Sequence, residues 1–231
     1  MIYNREPVLD KLFGLTNSML VPDFIVEVGS FDGESLKTYG TFSPYSRLIG
    51  FECNPINYFK RCLGKPVNYM TITNHTGSTE IYRPVSRIDD AGREHTRGND
   101  RVSGIHMVDN ATMFETYTTP CSTLDDYFEV PLSQGKTFSL IVDAEGAAYE
   151  ILQGAQKFLQ NVVSMKLELE TVSCWEGQKL EAEVLPLVPE KFVKIAETRY
   201  TGKPQKQNNS YFFEKDAALY FKSIGGELQG V

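Results

Sequence analysis

FIVEVGSFDG, residues 24–33, is the stretch from which the fold is read. Four apolar side chains, Phe24, Ile25, Val26 and Val28, enclose one acid at Glu27, the composition of a strand buried on both faces. Gly29 and Gly33 then bracket a turn, and Glu34, Ser35, Leu36 and Lys37 open a helix. Glycine at those two places permits unusual backbone angles and lets a ligand lie against the main chain, with the first helical N–H groups pointing at it. The spacing Glu-x-Gly-x-x-x-Gly differs from the Gly-x-Gly-x-x-Gly of dinucleotide sites. A nicotinamide-dependent oxidoreductase is therefore the lesser reading of the same geometry.

RLIGF at 47–51 reads as a second strand ending in Glu52, 25 residues after Glu27. Strand, helix, strand and terminal acid at that distance make the pattern of a nucleoside site, in which the carboxylate accepts bonds from two ribose hydroxyls. Asn54 and Pro55 start a helix to about residue 62. Residues 67–73 form a third strand leading to Asn74, placed either to meet a base or to shape the turn. FSLIV at 138–142 is a fourth buried strand with Asp143 and Glu145 at its tip, and 162–169 a fifth with Glu168 and Glu170 two apart. Because ligands of parallel α/β sheets sit at the carboxyl ends of the strands, these acids share a rim with Glu27 and Glu52. Strands at 192–196 and 210–213, joined without room for a crossover helix, predict an antiparallel last strand.

Two segments stand outside this alternation. Residues 1–22 carry Val8, Leu9, Leu12 and Phe13 at helical spacing, a helical cover ended by Gly14. Residues 84–120 have few regular apolar positions, several arginines and two histidines, His95 and His106, and read as an irregular, lid-like insertion over an acceptor pocket. The whole, 1–231, reads as a single domain.

Bulk properties narrow the function. A net charge of −7 argues against a nucleic-acid partner. Cys53, Cys62, Cys121 and Cys174 form no Cys-x-x-Cys pair, so neither zinc nor a disulfide framework is signalled. Arg5, Glu6 and Asp10 interrupt any leading apolar run, and no run approaches the roughly 20 apolar residues of a membrane helix. The expectation is a cytoplasmic protein without a membrane span.

EVGSFDG at 27–33, GFECNP at 50–55, STLDD at 122–126 and LIVDAEGAAYEILQGA at 140–155 together resemble the S-adenosylmethionine-dependent methyltransferases of the FkbM family. The resemblance covers about residues 20–215. It implies an α/β fold: a seven-stranded, mostly parallel Rossmann-like sheet with helices on both faces and an antiparallel last strand. It also implies S-adenosylmethionine as cofactor and S-adenosylhomocysteine as product. Glu27, Gly29 and Gly33, with Ser30 and Phe31 between them, would hold the cofactor's amino-acid part. Glu52, with Cys53 beside it, would hold the ribose, Asn74 would lie near the adenine, and Asp143 and Glu145 would lie near the methionine portion and the reacting methyl. Cys53 and Ala148 depart from the family, which usually has Pro and an acid there.

The resemblance further implies O-methylation of a small-molecule acceptor, commonly a sugar or another natural-product hydroxyl. Such an acceptor must be positioned in line and must lose its proton, and the candidates for that chemistry are Glu145, Asp143 and His106. A magnesium-assisted variant through Asp143, Glu168 and Glu170 is a lesser alternative, and no metal site is assigned. A non-catalytic module that keeps the cofactor fold is the other reading.

Overall fold

In the computed structural model, which describes residues 6–88, 94–95, 103–198 and 207–219, β1 (Phe24–Val28) is buried at all five positions. Its side chains alternate between two cores. Phe24, Val26 and Val28 join one, and Ile25 joins the other. α1 (Glu6–Leu20) brings Leu9 and Phe13 to the second core. This helix runs through Gly14 instead of ending there. A Cβ at Gly14 would fall 2.4 Å from the Phe42 ring, so the glycine serves the close packing of α1 on α2 (Glu34–Phe42).

β2 (Arg47–Glu52) pairs parallel with β1, Val26 opposite Ile49. α3 (Pro55–Asn57) is capped by Asn54 and continues as a π-helical turn, Tyr58–Cys62. The expected strand at 67–73 is broken at Met70. β3 (Val67–Tyr69) stays beside β2, and β4 (Thr71–Ile72) turns into a second sheet.

The second sheet corrects the expectation of an irregular segment at 84–120. β5 (Gly77–Ile88), β6 (Glu94–His95) and β7 (Ala111–Ser122) join β4 in the order β4-β7-β5-β6, and β5 and β7 pair antiparallel over most of their length. β7 is buried only near its end, so it lacks the alternation of apolar and polar residues by which a half-buried strand is recognised. Its threonines, Tyr117 and Phe114 still favour extended backbone. Arg93, Arg97 and Arg101 lie outside the described residues.

α4 (Leu124–Tyr127) starts at Thr123, whose Oγ1 accepts the Asp126 N–H at 2.9 Å, and α5 (Glu129–Ser133) follows. β8 (Phe138–Val142) pairs parallel with β1 on its other edge. α6 (Ala148–Gln153) stops at Gly154, where a Cβ would meet the Thr73 carbonyl at 2.4 Å. β9 (Val162–Glu170) is parallel to β8, and α7 (Glu181–Val184), β10 (Phe192–Glu197) and β11 (Gln207–Glu214) complete the order. The main sheet runs β10-β11-β9-β8-β1-β2-β3, with β11 antiparallel to both neighbours. One core takes Leu124, Ile151 and Leu152 from helices and the other takes Leu9, Leu36 and Tyr39, so helices cover both faces. No helix among the described residues is long and apolar enough to cross a membrane.

Candidate functional site

Parallel pairing of β2, β1, β8 and β9 sends four carboxyl ends to one rim, and a cavity of about 390 Å³ opens there. Gly29 makes the rim possible. It has φ +89°, and a Cβ would sit 1.8 Å from the Asp143 carbonyl oxygen, so only glycine lets the ends of β1 and β8 cross this closely. Phe31, at φ 49°, also takes a left-handed backbone, and its N–H donates to Glu52 Oε2 at 2.8 Å. Gly33 (φ +73°) closes the turn with its N–H on the Ser30 carbonyl at 2.7 Å.

Gly29, Ser30, Phe31, Glu52, Cys53, Asp143 and Glu145 all line the cavity. Glu27, Gly33, Asn74 and His106 do not. Glu27 lies buried beneath the turn, where Ser35 Oγ donates to its Oε1, and Ser35 in turn lines the cavity. Its Oε2 is buried with no hydrogen-bond partner, and burial pushes its carboxyl up to about 7. Asn74 is exposed and donates to Gln153 Oε1 at 2.7 Å. At the end of the third strand the cavity is instead lined by Met70, Thr71 and Ile72. His106 has its Nε2 3.4 Å from Glu150 Oε1.

Glu52 is organised by its neighbours. Oε1 accepts the Asn54 N–H at 2.9 Å and Asn57 Nδ2 at 3.2 Å, and Oε2 accepts Phe31. A carboxylate has about four acceptor positions, so one direction remains on Oε2 where the sequence predicts two bonds to a ligand. Burial raises its pKa against the opposing pull of these donors. Burial likewise raises the Cys53 thiol well above its ordinary value.

The acids at the tips of β8 and β9 share one environment. Burial pushes Glu170 up to about 7, although its Oε1 accepts the Gly146 N–H at 3.1 Å. Glu168 is raised well above the ordinary carboxylate range, first by burial and then by Asp143 and Glu145. Among the described residues, Asp143, Glu168 and Glu170 are not gathered into a group of three or more His, Cys, Asp or Glu placed to hold an ion. Glu145 has φ 32°, a strained conformation for a side chain of its size. Sequence reasoning missed Met70, Thr71, Ile72 and residues 103–105, which line the cavity. Their only signal is position, at the end of a strand and inside a segment without periodicity.

A buried glycine turn, an acid at the next strand tip and paired acids at a third define an α/β protein with a cavity at the sheet's carboxyl rim. The model of the methyltransferase FkbM domain matches residues 27–197, and the chain belongs to that methyltransferase family. Among solved structures it is similar to a methyltransferase FkbM from Methylobacillus flagellatus KT, with 13% identity and a TM-score of 0.48, over 84% of this chain and 44% of that one. It is also similar to OxaC, solved in complex with SAH and oxaline, with 8% identity and a TM-score of 0.37, over 89% and 47%. The chain thus spans less than half the length of either. No curated protein matches it.

Proposed function

We propose that the chain is an S-adenosylmethionine-dependent methyltransferase acting on a hydroxyl of a small-molecule acceptor, a sugar or another natural product. The observation that carries this reading is the convergence of three family-matched segments, Gly29 to Phe31, Glu52 with Cys53, and Asp143 to Glu145, on one cavity. Their chemistry suits the cofactor. Glu52 keeps one acceptor direction for a ribose hydroxyl, and the acidic rim complements a molecule carrying positive charge.

Bound there, the cofactor supplies an electrophilic methyl group. The protein's own part is positioning, exclusion of water and removal of a proton. Phe51, Met70 and Ile72 supply apolar wall. Ser35, held by Glu27, and the main chain of Gly29 and Ser30 face the amino-acid end. Glu145, with Asp143 beside it, is the group to orient the acceptor hydroxyl and take its proton. His106, paired with Glu150 beyond the lining, is the rival. The segment around 103–105 shapes the acceptor side. A reducing compartment such as the cytoplasm suits the four free cysteines.

Calorimetric titration with S-adenosylmethionine and S-adenosylhomocysteine, with NAD as control, tests the cofactor class. Both sulfur compounds should bind, NAD should not, and Glu52→Gln should weaken binding about tenfold. Transfer of labelled methyl to a panel of hydroxylated acceptors then tests catalysis. Binding of NAD alone overturns the assignment, and cofactor binding with no transfer to any acceptor favours the non-catalytic module.

A further inference from the structure

Three segments interlock on the flank of the cavity beyond Ile105, Glu145 and Ala147. Residues 105–109 run beside 174–176, with Val108 bridging Trp175, the Glu176 N–H on the Met107 carbonyl at 2.7 Å and the Asp109 N–H on the Cys174 carbonyl at 2.9 Å. The Trp175 ring lies against Gly146, where a Cβ would fall 3.1 Å from it. His106 Nε2 is 3.4 Å from Glu150 Oε1, and His106 Nδ1 lies 4.0 Å from the Cβ position of Gly177.

At this junction four buried polar atoms lack a hydrogen-bond partner among the described residues: His106 Nε2, Glu150 Oε2, Trp175 Nε1 and Gln178 Nε2. The Gln178 amide has a fixed orientation, because its Oε1 accepts the backbone N–H groups of Cys174 and Trp175. The unused end is therefore the donating NH₂. Trp175 is 3% exposed and Gln178 9%, so bulk water does not serve them. Buried polar groups are nearly always paired in folded proteins; His106 Nε2 and Glu150 face each other at 3.4 Å without hydrogen-bond geometry, and with Glu150 Oε2, Trp175 Nε1 and Gln178 Nε2 left over beside them the junction calls for a partner that is not the chain itself.

The inventory of the orphans sets the partner's chemistry. The indole N–H and the amide NH₂ need acceptors, whereas Glu150 needs a donor and His106 takes either. An anion would satisfy the first two and be repelled by Glu150, with Glu145 and Glu170 close by. A cation would satisfy Glu150 and leave Trp175 and Gln178 unpaired. A hydroxyl both donates and accepts, and two neighbouring hydroxyls serve the whole set. We propose that His106, Glu150, Trp175 and Gln178 form the acceptor subsite and bind a neutral ligand carrying vicinal hydroxyls. This rests on the methyltransferase reading only in naming the ligand an acceptor; the site adjoins Glu145, the base proposed above.

Trp175 is the only tryptophan of the chain, so its fluorescence reports on this place alone. The full chain is titrated with methyl glucopyranoside, methyl rhamnopyranoside and myo-inositol as neutral probes, and with glucuronate and glucosamine as charged ones, each with and without saturating S-adenosylhomocysteine. Saturable change in Trp175 emission is expected with at least one neutral probe, and neither charged probe should bind more tightly. Glu150→Gln should weaken that binding at least tenfold. So should Trp175→Phe and Gln178→Leu, both followed by calorimetry, with S-adenosylhomocysteine affinity unchanged in all three variants. Polyol binding in a chain that ignores S-adenosylhomocysteine would support the subsite while overturning the cofactor reading. The proposal is overturned if no neutral probe binds, if a charged probe binds best, or if all three variants bind like wild type because ordered water alone fills the junction.

Discussion

Two non-glycine residues that line the cavity, Phe31 at φ 49° and Glu145 at φ 32°, adopt left-handed backbone, at a cost of about 1–3 kcal/mol each. Strain of that size persists where position matters more than stability. Glu145→Gln keeps the strain and removes the charge, and turnover should fall about 10²–10⁴-fold with S-adenosylhomocysteine affinity unchanged by calorimetry. Glu145→Gly relieves the strain. It should lose turnover equally while keeping wild-type stability or gaining up to about 1 kcal/mol, measured by urea unfolding. Equal turnover in wild type and Glu145→Gln would remove Glu145 from the chemistry. Gly29→Ala meets the Asp143 carbonyl and an unfavourable φ together, and should destabilise by about 3 kcal/mol or more. The sequence made this part of the site legible because strand-end acids and a glycine turn are local signals. Asn74 and the lining at 70–72 and 103–105 were not, because which residue faces a cavity after a strand ends depends on where the chain bends, and Met70 is such a bend.

At the scale of elements, the main-sheet strands were legible because each is a short apolar run with a clear limit. The β5–β7 ribbon was not, since it is largely exposed and patterns of burial cannot mark it. α1 was legible as an apolar cover, but part of its grip is polar. Asp10 Oδ1 accepts Lys166 Nζ at 2.8 Å, Tyr39 Oη at 2.8 Å and Tyr211 Oη at 2.9 Å, tying the helix to β9, α2 and β11. The Lys166 side chain is only 7% exposed. Taking the carboxylate away from a buried ammonium is expensive, so Asp10→Ala should cost about 3 kcal/mol in urea unfolding. Lys166→Met in the same background should recover much of that loss, since an apolar side chain of similar length needs no counter-charge. If the double variant is no more stable than Asp10→Ala, the helix is held by Leu9 and Phe13 and the polar knot contributes little.

Across the whole molecule, buried carboxyls give stability a definite dependence on pH. Glu27 and Glu170 titrate at about 7 in the fold against about 4.5 when unfolded, and burial is the first cause for both. Between those values the folded chain holds protons that the unfolded chain has released, so raising the pH favours unfolding, by up to about 1.4 kcal/mol per pH unit for each group. Glu168 is shifted in the same direction by burial and adds to the decline. Urea unfolding should therefore show stability falling from pH 5 to pH 8. The net charge of −7 adds self-repulsion of the same sign, so the slope of the wild type alone does not identify its source. Glu27→Gln does, because it keeps the shape of the side chain and has nothing to titrate. The difference between wild type and variant should change by about 1 kcal/mol per pH unit between pH 5 and 7 and become constant above that. A difference that stays constant throughout would mean that Glu27 is ionised in the fold at pH 5, and that a positive charge, not Ser35 alone, faces it from beneath the turn.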